Sequence, residues 1–71
     1  MYFEIHAWEN RTVETDNLRD IEKIRCDRGK LICNGLLLAK YKNTERAKEV
    51  RAELINAFKQ GDTDFFRLPK E

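Results

Sequence analysis

The chain has 71 residues, with 14 Lys or Arg against 13 Asp or Glu and a net charge of +1. That length sets one domain over residues 1–71, and the charge balance argues against nucleic acid, which draws a concentrated basic patch. No apolar run approaches the roughly 20 residues of a membrane span, and the start Met-Tyr-Phe-Glu-Ile-His lacks the basic and apolar regions of a signal peptide, so a cytoplasmic protein with no membrane partner is expected.

Tyr2 to Trp8 has strand composition, with Phe3, Ile5 and Ala7 on one face and Tyr2, Glu4, His6 and Trp8 on the other. Glu9-Asn10-Arg11 reads as a turn and Thr12-Val13-Glu14 as a short returning strand. Asp16-Asn17 is a second turn signal. Leu18, Ile21 and Ile24 are spaced by three, which permits one helical turn. Arg28-Gly29 and Asn34-Gly35 each suit a two-residue hairpin turn, because both positions tolerate positive φ. With both turns in place, Asp27 faces Lys30, Cys26 faces Leu31, Ile24 faces Cys33, Cys33 faces Leu36 and Leu31 faces Leu38. Ile24, Cys26, Leu31, Cys33, Leu36 and Leu38 then share one apolar face. Lys23, Arg25, Asp27, Lys30, Ile32, Leu37 and Ala39 share the other.

The stretch from Tyr41 to Gly61 is the one long helix pattern. Asn43 or Thr44 caps it, Glu45 suits the positive end of its dipole, and Gly61 stops it. Ala47, Val50, Leu54, Ala57 and Phe58 form its apolar stripe. Phe65, Phe66 and Leu68 make the tail too apolar to be wholly solvated. The expected fold is therefore α+β. A small antiparallel sheet of four to five strands lies over residues 2–41. A C-terminal helix over 44–60 packs on one of its faces, and a docking tail covers 62–71.

Cys26 and Cys33 are diagonal neighbours in that register and read as small buried hydrophobes. No metal and no cofactor are expected, since a structural zinc site needs four ligands. His6, the only histidine, has no serine in the chain to activate and reads as a strand residue packed near Trp8. Glu9, Glu14, Asp16, Asp20 and Glu22 read as solvated loop charges. No catalytic residue is assigned. Arg25, Lys23 and Lys30 share the outer sheet face, Arg46 and Lys42 flank the helix start, and Arg51 interrupts the apolar stripe. These cations read either as ordinary surface charge or as an anion site shared between subunits.

One resemblance is carried by particular residues. Asp16-Asn17-Leu18, Ile21, Ile24, Gly35, Leu36–Leu38 and the run from Lys40 to Val50 resemble a group of small prophage-associated proteins. Their shared pattern is two or more strands and then a G-x-Y-x-[ST]-E-E-x-A turn into a C-terminal helix. The likeness covers roughly residues 12–58. It departs at Ala39, where glycine is usual before Lys40-Tyr41, and at Arg51, where an apolar residue is usual. Some of that group are similar to phage anti-Thoeris sponges, oligomers that sequester cyclic nucleotide-type immune signals without cleaving them.

The resemblance implies a non-enzymatic phage counter-defence protein acting in the host cytoplasm. Its partner would be a cyclic nucleotide-type small molecule held at the subunit interfaces of a homo-oligomer. Phosphate then falls to Arg25, Lys30, Arg46 and Arg51, and base stacking to Tyr2, Trp8 and Tyr41. The oligomer interface falls to Ile32, Leu37, Phe65 and Phe66. The alternative is a protein-binding inhibitor or small regulatory subunit acting on a host protein through the same apolar residues. A hydrolase of such signals is the third reading and lacks a catalytic set.

Overall fold

The computed structural model describes residues 2–7, 10–61 and 64–71. Its elements are β1 (Phe3–His6), β2 (Thr12–Thr15), α1 (Leu18–Glu22), β3 (Arg25–Asp27), β4 (Lys30–Cys33), β5 (Leu36–Lys40), α2 (Thr44–Gln60) and β6 (Phe65–Arg67). The fold is α+β, with one main helix near the C-terminus. The expected single antiparallel sheet is corrected to two three-stranded sheets, ordered β2-β1-β6 and β3-β4-β5. The first of them is mixed, because β6 runs parallel to β1.

The β3-β4-β5 meander follows from its two glycine turns. Arg28 and Gly29 have φ of 51° and 83°, and Asn34 and Gly35 have 51° and 82°. These left-handed pairs match the twist of the strands they join. Cys26 pairs with Leu31, Asp27 with Lys30, and Cys33 with Leu36. The expected pairing of Leu31 with Leu38 is corrected: Leu31 pairs with Ala39, while Ile32 pairs with Leu37. The irregularity between those rungs leaves Leu38 as an extra residue, the signature of a β-bulge. Leu38 and Ala39 are consequently both buried, although simple alternation puts them on opposite faces. Leu36 keeps the expected pairing with Cys33 but, next to the Asn34-Gly35 turn, is 40% exposed.

α2 is capped at both ends. The Asn43 side chain accepts from Arg46 N, and Gly61 closes the helix at φ 69°. Ala47, Val50 and Leu54 are fully buried, against Leu31, Leu38 and Ile21 in one core with Phe3 and Ile5. Each buried Val, Leu or Ile among them contributes about 1.5–3 kcal/mol. Phe3 meets Phe58 edge to face, with ring centroids 5.1 Å apart. The short α1 is held by Asn17, which caps it through Arg19 N. Thr15 stands before it, its hydroxyl accepting from Asn17 N and donating to Asp20 Oδ2 at 2.9 Å.

The tail is part of the fold. Glu4, Ile5 and His6 pair with Phe65, Phe66 and Arg67. Leu68 is buried, and its N–H donates to His6 O at 2.9 Å. Among the described residues, no helix is long and apolar enough to cross a membrane.

Candidate anion-binding clefts

The tail reaches the start of α2, and a cleft of about 630 Å³ lies between them. The end of β5 supplies Lys40, the loop supplies Tyr41, Lys42 and Asn43, and the first turns of α2 supply Glu45, Arg46 and Glu49. The tail supplies Lys70 and Glu71. Tyr41 is a core residue whose hydroxyl donates to Pro69 O at 2.6 Å. Burial pushes that hydroxyl's pKa above the ordinary tyrosine value; Arg46 opposes the shift and Glu53 adds to it. The Arg46 guanidinium lies 5.9 Å from the Tyr41 ring centroid. It donates to Glu71 O from Nε at 3.1 Å and from Nη2 at 2.8 Å, and it pairs with Glu49 at 3.1 Å.

Two residues expected to hold a ligand, Tyr41 and Arg46, thus converge in one cleft with Lys40, Lys42 and Lys70. The others lie elsewhere. Arg25 is exposed on β3 beside Ile32, and Lys30 pairs with Lys40 across the meander. Neither lines this cleft. Arg51 donates from Nε to Ile24 O and from Nη2 to Glu22 O, both at 2.8 Å. It closes the carbonyl end of α1, a place where unpaired helix carbonyls need donors. Its guanidinium is therefore engaged with the backbone. Tyr2 is 67% exposed ahead of β1. Trp8 lies outside the described residues. Of the expected interface set, Ile32 and Leu37 are a directly paired, half-buried couple, Phe66 packs against the core, and Phe65 is 53% exposed.

A second cleft, of about 380 Å³, sits where the β1–β2 turn meets the end of β6. Ala7 and Leu68 form its apolar floor, Arg11, Arg67 and Lys70 supply positive charge, and His6 adds an imidazole. Lys70 lines both clefts. Arg11, Arg67, Lys40 and Lys70 carry no local sequence signal as site residues. Only the parallel docking of β6 brings Arg67 beside His6, and such long-range pairing has no turn motif to announce it. Phe65-Phe66-Arg67, which alternates outward and inward, is the one hint of a strand.

Cys26 is half-buried and Cys33 is buried, and both are free thiols. Burial raises the pKa of each; Arg51 and Lys48 oppose this at Cys26, and Asp20 adds to it at Cys33. Among the described residues, no three His, Cys, Asp or Glu side chains come together as a metal site would require. Comparison with known protein families, with curated proteins and with solved structures finds no match.

Proposed function

We propose that this protein binds a phosphate-bearing, nucleotide-type small molecule without transforming it, in the cleft at the start of α2. One observation carries the reading. Lys40, Lys42, Arg46 and Lys70 converge, with Glu45, Glu49 and Glu71 also in the lining, on a space of about 630 Å³, within the size range of small-ligand sites. Arg46 supplies the planar fork suited to phosphate. Its present acceptors, the Glu71 main-chain oxygen and Glu49 Oε2, are exposed contacts that the oxygens of a doubly charged phosphate can replace with charge-assisted bonds. The Tyr41 ring is already covered, so a base rests against the Arg46 and Lys42 side chains rather than stacking on Tyr41. A counter-defence sponge for a nucleotide-derived immune signal is the specific form that the prophage resemblance suggests, with a second subunit completing the site.

Calorimetry against cyclic dinucleotides, cyclic trinucleotides and ADP-ribose cyclic isomers tests this. Arg46→Ala should weaken a genuine ligand by about 1.5–3 kcal/mol, the range for a hydrogen bond to a charged group. Heat denaturation of the complex should return the ligand chemically intact. Silence across the panel, or a cleaved ligand, would overturn the reading. A second reading, a protein-binding inhibitor, is favoured by two large exposed aromatics near one sheet, Tyr2 and Phe65. Recovery of one host protein by the parent but not by Phe65→Ser would support it.

A further inference from the structure

We infer that the smaller cleft is a separate site for a compact, multiply charged phosphate, of the phosphomonoester or pyrophosphate class. This goes beyond the nucleotide cleft and does not depend on it. The sheet register builds the site. Thr12 pairs with His6 across β2 and β1, and His6 pairs with Arg67 across β1 and β6. Paired residues on neighbouring strands project to the same side, about 4.8 Å apart. A hydroxyl, an imidazole and a guanidinium therefore stand in one row across three strands. Lys70 and Arg11 close the row's two flanks, and Asn10, at φ 62°, turns the chain at its mouth.

The charges of Arg67 and Lys70 serve no contact of the fold among the described residues. Among the described residues no carboxylate lines the cleft. Glu4 stands two rungs away on the same face and is engaged with His6 Nε2 at 3.0 Å. The Arg11 guanidinium donates to Leu37 O at 2.9 Å, which fixes its position. The side chains of Arg67 and Lys70 make no hydrogen bond or ion pair among the described residues. Like charges gathered in one concavity repel, and an anion of matching charge density removes that repulsion. A bidentate guanidinium and a flanking ammonium are the usual recognition set for phosphate oxygens. The volume of about 380 Å³ suits a pyrophosphate or a small phosphorylated molecule. An extended polyanion needs a continuous basic track, and the net charge of +1 does not supply one.

The test uses the full chain with inorganic pyrophosphate as probe. Binding is followed by calorimetry, and its place is read from the His6 ring resonances in nitrogen-15 correlation spectra. Saturable binding that moves those resonances is expected. Arg67→Gln, at an exposed position, should weaken it by about tenfold or more. Arg46→Gln, in the other cleft, should leave pyrophosphate affinity unchanged while weakening any ligand of the nucleotide panel. The proposal is overturned if pyrophosphate does not saturate, if the His6 resonances stay still, or if Arg67→Gln binds as the parent does. Loss in Arg46→Gln alone would move the phosphate to the larger cleft and would also overturn it.

Discussion

Gly29 is the residue on which sequence pattern and tertiary packing meet. It completes a turn at φ 83°, and a Cβ there would lie 2.5 Å from the Tyr41 carbonyl oxygen. Tyr41 N also donates to Gly29 O, so the turn of one hairpin is clasped to the loop that opens α2. Gly35 has nearly the same φ, 82°, but open space around it. Gly35→Ala should therefore cost about 1–2 kcal/mol, the penalty of the left-handed region. Gly29→Ala should cost clearly more, because backbone has to move as well. Denaturant unfolding of the two variants checks this, and equal midpoints would refute the clasp. Tyr41 gives a pH test at the same place. Its hydroxyl pKa is raised in the folded state, first by burial. The unfolded chain then loses its proton first, so stability is intact below about pH 10 and falls as pH rises through the higher folded value. Tyr41→Phe should remove that part of the alkaline slope, seen as a flatter dependence of the denaturation midpoint on pH.

At the level of elements, α2 was legible because each of its determinants is local. Its cap at Asn43, its stop at Gly61 and its stripe of Ala47, Val50 and Leu54 all lie within the helix or beside it. The hairpin turns were legible for the same reason. The bulge at Leu38 was not, since Leu36-Leu37-Leu38-Ala39 is apolar throughout and has no alternation to fix a register. This gives a mutational pattern. Leu31→Ala and Leu38→Ala should each cost about 2–5 kcal/mol. Leu36→Ala should cost far less, because that side chain is 40% exposed. A large loss at Leu36 would contradict the exposure of that side chain. Arg51 belongs to this scale too. On sequence it interrupts an apolar stripe; in the fold it ties α2 to the carbonyls of Glu22 and Ile24. Arg51→Met should lower stability by about 1–3 kcal/mol, chiefly because the part-buried Ile24 carbonyl loses its donor. Arg51→Lys should restore only part of it, having one ammonium where the fork reaches two oxygens. A fully stable Arg51→Met variant would show that water replaces the guanidinium.

Across the whole molecule, the tail decides both the fold and the clefts. A 71-residue chain buries only about 60% of its unfolded surface, so a few tail contacts form a sizeable share of its core. That share was hidden in the sequence: Phe65, Phe66 and Leu68 announced that the tail docks, but not that it enters a sheet parallel to β1. Leu68 is 2% exposed, its N–H bonds to His6 O, and Glu4 N bonds to Asp64 O at 2.8 Å. Just beyond, Pro69 O accepts from Tyr41 and Glu71 O from Arg46. The segment is thus fastened to the first sheet and to the start of α2, and it carries Arg67 and Lys70 between those anchorages. Leu68→Ala should cost about 2–5 kcal/mol for the lost side chain. In the parent, the Leu68 and Glu4 amides should exchange hydrogen only as slowly as global unfolding allows, because both bonds break only when β6 leaves. Faster exchange confined to those two amides would instead show a tail that opens alone. In the Leu68→Ala variant under native conditions, pyrophosphate binding should weaken along with the slow exchange, although the substituted side chain lies in the floor of the cleft and bears no charge. A variant that loses stability yet keeps full pyrophosphate affinity would separate the tail's packing from the placement of Arg67 and Lys70.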